Sequence, residues 1–318
     1  MKNYIKAIVL MMVVVVTFVA CKTEVESVVT ADGNEEKVVI KKIGMTQIVE
    51  HPSLDAIREG ALQALLDAGY VDGENIEIEF VNAQGSMENA NTIANEFSSK
   101  DFDVVLGITT PSAQALFNKV EETPIIYTAV TDPESAGLIG ENISGVSDMT
   151  PVKKQFDLLV ELLPETKVVG MIYNSSELNS EIQVELAKKI AADMGIELVV
   201  TSITNSNEVS TALDYVLDKA DVLYVQKDNT LASAFPIVVK KADAKHIPII
   251  GAVSDFVEAG ALATDGPSEF EIGYESGKML VSILEGEDVA NIEDKLVDET
   301  TRVFNEEVAE RYNINVNQ

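Results

Sequence analysis

The chain has 318 residues, with 53 Asp and Glu against 23 Lys and Arg and a formal net charge of −30. Its length and 46% hydrophobic content give room for about two domains with large cores and exclude global disorder. The acidic balance argues against nucleic acid as a partner, which needs a basic surface over phosphates, and a single Cys with two His argues against disulfide, Cys-rich or His-rich metal chemistry.

The N-terminus reads as an export signal. Lys2 and Lys6 precede an apolar run over 7–20, broken only by Thr17. At about 14 residues the run is short of the roughly 20 that span a membrane. It ends on small Ala20 just before Cys21, the one Cys of the chain, in the manner of a bacterial lipobox. Residues 1–20 are thus expected to be a lipoprotein signal peptide, with Cys21 lipidated and 21–37 a flexible polar tether. This places the protein outside the cytoplasm, anchored to the cell membrane.

Strand and helix then alternate. A β-branched run at 38–45 is followed by helical spacing of Leu54, Ile57, Ala61, Leu62, Leu65 and Leu66 over 53–68, with Ser53 as cap and Gly69 as stop. Strands at 75–81, 103–108 and 124–130 are separated by helices at 86–99 and from Pro111. The same beat returns with helices at 151–163, 178–194, 206–219 and 229–245 and strands at 167–174, 196–202, 221–226 and 247–253. This alternation predicts an α/β fold of two doubly wound parallel-sheet lobes.

In such sheets ligands sit beyond the carboxyl ends of the strands. The exits supply candidate ligand-binding residues: Thr46 and Gln47; Thr109, Thr110 and Ser112; Thr128 and Ala129; Tyr173 and Asn174; Asp228 and Asn229; Asp255 and Phe256. Pro111 suits the first turn of a helix, where free N–H groups and the helix dipole hold anions. With the hydroxyls of Thr109, Thr110 and Ser112 that turn suits a carboxylate, although Thr110 equally reads as an ordinary cap. Asp228 and Asp255 suit an ammonium, although Asp228 equally caps the helix after it. Tyr173 and Phe256 suit an aromatic ring, although Tyr173 equally reads as core.

Enzyme signatures are missing. There is no G-x-S-x-G elbow and no G-x-G-x-x-G after the first strand. The stretch from Gly273 to Met279 has three residues between its glycines where a P-loop has four, and Met279 where magnesium needs a hydroxyl. His51 stands at a helix start and could line the cleft, while His246 ends a helix. No catalytic residue, metal site or cofactor is expected.

Several segments together carry a resemblance: Val49-Glu50-His51-Pro52 with Leu54-Asp55, Gly107-Ile108-Thr109-Thr110-Pro111, Thr131-Asp132-Pro133 with Gly137-Leu138, Asn142-Ile143-Ser144-Gly145-Val146-Ser147-Asp148, Ile172-Tyr173-Asn174 with Glu177 and Asn179-Ser180, Asp228-Asn229, and Ile283-Leu284 with Gly286. In order and spacing the chain resembles the ABC-transporter substrate-binding lipoproteins of the tryptophan/tyrosine-binding type, which share the type I periplasmic-binding-protein fold. The resemblance implies two lobes joined by a hinge, at 38–145 plus 267–290 and at 146–266 plus 291–318. It implies a monomer that closes over a small molecule, with aromatic amino acids ranked first, and delivers it to a permease with a cytoplasmic ATPase. A sugar or autoinducer receptor and a sensory lipoprotein without transport remain alternatives, and the exits contain no Arg of the kind sugar sites use.

Overall fold

The computed structural model describes residues 27–29, 35–37 and 40–316. The expected signal peptide and Cys21 lie outside them. The chain divides into an N-terminal unit, Met1–Val39, and a main unit, Ile40–Gln318. Within the first, β1 (Ser27–Val29) pairs antiparallel with β2 (Glu35–Lys37), so regular structure occurs where only a tether was expected. Val28 and Val29 supply the β-branched residues, and an isolated pair of this size is marginal in water.

The main unit contains two six-stranded sheets. The first is built from β3 (Lys41–Gln47), β4 (Ile76–Asn82), β5 (Val104–Ile108), β6 (Ile125–Val130), β7 (Ile143–Ser147) and β13 (Lys295–Leu296), in the order β13-β7-β6-β5-β3-β4, all parallel. The second is built from β8 (Val168–Asn174), β9 (Glu197–Ile203), β10 (Val222–Val225), β11 (Ile249–Gly251), β12 (Ala263–Gly266) and β14 (Thr301–Phe304), in the order β14-β12-β11-β10-β8-β9, with only β14 antiparallel. β5 and β6 are buried along their whole length, as central strands covered by helices on both faces must be. Strand order reverses between β3 and β5 and between β8 and β10, the points where ligand crevices form in such sheets.

The helices are α1 (Pro52–Asp67), α2 (Met87–Phe97), α3 (Thr110–Phe117), α4 (Val152–Leu162), α5 (Leu178–Met194), α6 (Val209–Leu217), α7 (Asn229–Ser233), α8 (Phe235–Lys245), α9 (Ser254–Glu258), α10 (Glu269–Leu284) and α11 (Glu306–Tyr312). Three differ from expectation. α1 is capped by His51 with Pro52 at its start, where the missing N–H has no partner to lose, so Ser53 is not the cap. The single helix expected over 229–245 is two, broken at Ala234, because Pro236 is tolerated only in a first turn. The helix expected from residue 206 opens with a 3-10 turn, Ser206–Glu208.

α10 follows β12 in sequence but packs on α1 of the first lobe. The glycines of the P-loop-like stretch make that contact. A Cβ on Gly273 would lie 1.8 Å from the Ile57 carbonyl oxygen, and one on Gly277 2.5 Å from that of Ala61. The spacing therefore serves backbone approach between helices rather than a phosphate.

The chain passes between the sheets three times, at 148–151, 267–268 and 297–300. Residues 291–296, read above with the second lobe, stay with the first: Lys295 and Leu296 pair with Val146 and Ser147, and Asp294 Oδ1 accepts from Gly145 N at 3.2 Å. A two-residue strand in a polar stretch carries no periodicity from which to place it.

Candidate functional site

Between the carboxyl ends of the two sheets lies a narrow cavity enclosing about 410 Å³ of space between atoms, part of it open to solvent. The first lobe contributes His51, Ser53, Leu54 and Ile57 around the start of α1, Thr109 after β5, and Ala129 and Thr131 at the end of β6. The second contributes Asn179 on α5, the loop Lys227-Asp228-Asn229, Ala232 on α7, and Val253 and Phe256 after β11. Asp148 enters from the first connecting segment and Glu269 from the first residue of α10, just after the second. The cleft is shut: His51 faces the Asn229 amide and the Ser53 hydroxyl lies beside Asp255, each pair spanning both lobes.

Backbone strain concentrates here. Thr109 has φ 74° and ψ 164°, a region almost confined to glycine, and Ala129 has φ 55°. The register of β6 against β7 shifts between Thr128 and Val130, so Ala129 sits on a bulge. Thr109 then caps α3 without a side-chain bond, leaving its hydroxyl without a partner in the protein. Pro111 falls second in that helix, after Thr110. The buried hydroxyls of Thr110, Ser112 and Thr128 are also unpartnered but do not reach the cavity wall.

The second lobe presents its loop through a dense network. Asp228 Oδ2 accepts from Asn174 N at 2.6 Å and Ser180 Oγ at 2.8 Å, and Oδ1 caps α7 by accepting from Leu231 N at 2.8 Å. Burial, then the Glu177 charge, pushes Asp228 up to about 7. Glu177 in turn accepts from Asn229 Nδ2 at 2.6 Å and Thr230 Oγ1 at 2.9 Å. Asp228 lines the cavity, yet its oxygens are already committed to three protein donors.

A charge cluster closes the inner end. Lys227 Nζ lies 2.7 Å from Asp148 Oδ2 and 2.9 Å from Glu269 Oε1. Burial works to lower the lysine pKa, but the two carboxylates together hold it well above the ordinary lysine value. Burial raises Glu269 to about 7, with Lys227 opposing and Asp148 reinforcing the shift. Opposite, burial lowers His51 to about 4, against the pull of its contact with the Asn229 side chain and of the Asp55 charge.

Of the residues expected from sequence, Thr109, Ala129, Asp228, Asn229 and Phe256 line the cavity. Phe256 stacks on Phe235 with ring centroids 4.2 Å apart. The others sit elsewhere. Gln47 is spent on Val49 O, Asp55 and Arg58, and Thr46 is buried in β3. Tyr173 packs against the second lobe's core, because alternation along β8 sends it to the face opposite Asn174. Asn174 lines a neighbouring cleft of about 910 Å³ with Pro111 and Thr230. Asp255 stands off the cavity wall, raised by burial, with Oδ2 unpartnered. Asp148 and Asn179 stand in segments that carry the family resemblance, but neither they nor Lys227 and Glu269 were expected as ligand-binding residues. Glu269 reads as an ordinary acid in a first helical turn, and the one usable signal is a lysine between Gln226 and Asp228 at an exit otherwise poor in cations.

Two α/β lobes, linked by three crossings and shut over a cavity lined from both, define a two-lobe solute-binding protein. The chain belongs to the ABC transporter substrate binding protein family, which it matches over residues 42–318; this makes it a binding protein rather than an enzyme. It is 44% identical over 273 residues to a tyrosine-binding protein of Clostridioides difficile, covering 84% of this chain and 79% of that one. A Streptococcus pneumoniae ABC domain in complex with L-Trp matches at 34% identity and a TM-score of 0.85, covering 88% of this chain and 97% of that one. A ligand-free, open Clostridium difficile substrate-binding protein with adhesive properties has 44% identity with the same coverage, but a TM-score of only 0.66. Higher identity with poorer superposition on an open form agrees with a cleft that is shut here.

Proposed function

We propose that this chain is the extracytoplasmic receptor of an ABC importer, a monomer held to the membrane by a lipid on Cys21, and that it binds an aromatic amino acid in the cavity. The observation carrying this reading is the division of the cavity wall. Leu54, Ile57, Ala232, Val253 and Phe256 form an apolar side, while Thr109, Asp148 and Asn179 present buried polar atoms with no protein partner. Unpaired buried polar atoms are costly, so such a wall favours a ligand with both a ring and polar groups. The ring packs on Phe256, gaining about 0.5–1.5 kcal/mol beyond burial. The carboxylate is held by Thr109 and the free N–H groups that open α3. Contacts to both lobes make the shut state depend on the ligand. The relatives that bind tyrosine and tryptophan support the ligand class.

The test is calorimetric titration of protein refolded to remove carried-over ligand, with L-tyrosine, L-tryptophan, L-phenylalanine and glucose. Heat with at least one aromatic amino acid and none with glucose is expected. Heat with glucose alone would turn the reading to a sugar receptor, whose sites use several Asp, Asn and Arg side chains; this cavity wall contains no Arg.

A further inference from the structure

The first turn of α1 reaches across the cleft at two points. His51 meets the Asn229 side chain at the start of α7, and the Ser53 hydroxyl lies beside Asp255 in the first turn of α9. His51 and Ser53 are both buried, so water competes little for either contact. Each end of the link is fixed within its own lobe. Asn229 Nδ2 donates to Glu177 Oε2 at 2.6 Å. Behind the turn, α1 lies close against α10, where a Cβ on Gly60 would be 2.1 Å from the Phe270 carbonyl oxygen.

Asp255 lacks the compensation that the neighbouring buried acids have. Asp148 and Glu269 share Lys227, and Asp228 has three protein donors. Burial raises Asp255, the Ser53 hydroxyl opposes that shift, and the charge acting on it, Glu258 of the same helix, is of like sign. Its Oδ2 is buried without a partner. What it faces is the start of α1, a helix with no side-chain cap of its own, whose first-turn acid Asp55 is paired with Arg58 at 3.0 Å. The positive end of a helix stabilises a carboxylate. Asp255 brings that carboxylate from the second lobe, and does so off the cavity wall.

We propose that the first turn of α1 is a latch, in which Ser53 engages Asp255 and His51 engages Asn229, so that contacts of the protein itself favour the shut state whatever the ligand adds. Asp255 is then a positioning residue: it sets affinity through closure, without touching the ligand. The latch goes beyond the binding reading, because it depends on no particular ligand. A ligand enters and leaves through the open form. Weakening the latch therefore speeds release by the factor lost from closure and does not slow entry. Loss of a residue that only holds the ligand also speeds release, but leaves the shape of the empty protein unchanged.

The experiment is small-angle X-ray scattering of ligand-free, refolded wild-type protein, Asp255→Ala and Ser53→Ala, with stopped-flow association and release of L-tyrosine for each. The proposal expects a larger radius of gyration for each ligand-free variant than for wild type, and convergence of all three at saturating L-tyrosine. It expects release from Asp255→Ala at least about fivefold faster than from wild type, with association no slower. Ser53→Ala removes one oxygen atom and reads the latch from the opposite lobe even if Asp255→Ala fails to fold. Equal radii of gyration for ligand-free wild type and folded variants overturn the latch. Faster release from Asp255→Ala with unchanged ligand-free scattering overturns it too, and makes Asp255 a ligand contact. The scattering needs no ligand, so it decides the latch even if wild-type protein binds no aromatic amino acid, the result that overturns the amino-acid reading instead.

Discussion

Thr109 and Ala129 stand at the ends of neighbouring strands, both with positive φ, and are tied through one bond: Thr109 N donates at 2.9 Å to the carbonyl of Thr128, the residue before Ala129. Two non-glycine residues in disfavoured backbone regions, both on the cavity wall, point to strain maintained to shape a site. Ala129→Gly relieves one half of it. The variant is expected to gain about 1 kcal/mol of stability, the order of the left-handed penalty for a residue with a Cβ. Chemical denaturation measures the gain, and a loss of stability instead would show that the alanine methyl is needed in the wall.

The α1–α10 contact tolerates no side chain at Gly273, where a Cβ would meet the Ile57 carbonyl oxygen at 1.8 Å. Gly273→Ala must push the helices apart and is expected to cost about 1–3 kcal/mol. Lys278→Ala, on the exposed face of the same helix, loses a surface pair with Glu275 and an exposed contact over the Tyr274 ring, and should cost about 1 kcal/mol or less. Thermal unfolding of both variants separates the two roles.

Asp228 accepts from Asn174, Ser180 and Leu231, so its removal is a folding lesion before it is a binding one. Asp228→Ala leaves three donors without their acceptor and is expected to cost about 3 kcal/mol or more. Chemical denaturation measures that cost. A stable Asp228→Ala protein that no longer binds L-tyrosine would instead make Asp228 a ligand contact.

Two cavity groups give opposite pH dependences. His51, lowered to about 4 from 6.5, adds stability that is present above pH 6.5 and lost as pH falls through 4. Glu269, raised to about 7 from 4.5 among Lys227, Asp148 and Asp255, favours the folded state when protonated. Its contribution is present below pH 4.5 and is lost as pH rises through 7. Melting curves of ligand-free protein should therefore show His51→Asn losing less stability than wild type between pH 6.5 and 4, and Glu269→Gln losing less between pH 5 and 8. The reverse order would contradict these environments.

The two-lobe α/β plan was legible because parallel strands write themselves as unbroken apolar runs, such as the buried VVLGI of β5 and IIYTAV of β6. Thr109 and Phe256 were legible as site residues because strand exits are where such sheets bind ligands. The cluster of Lys227, Asp148 and Glu269 was not, since its members are 42 to 121 residues apart and meet only when both connecting segments converge on one loop. Asp228 and Asp255 have the right residue type in the right kind of loop. Sequence does not reveal that three protein donors already occupy the first, or that the second stands off the wall. The strand β13 was equally hidden, being two residues held by pairing with β7 rather than by any pattern of its own.

A crystal structure of the protein grown with L-tyrosine tests the arrangement most directly. The expected density lies in the cavity between the lobes, with the ring on Phe256 and the carboxylate within about 3 Å of the Thr109 hydroxyl. A tyrosine bound in the reverse sense, with its amine at Thr109, or seated outside this cavity would contradict it.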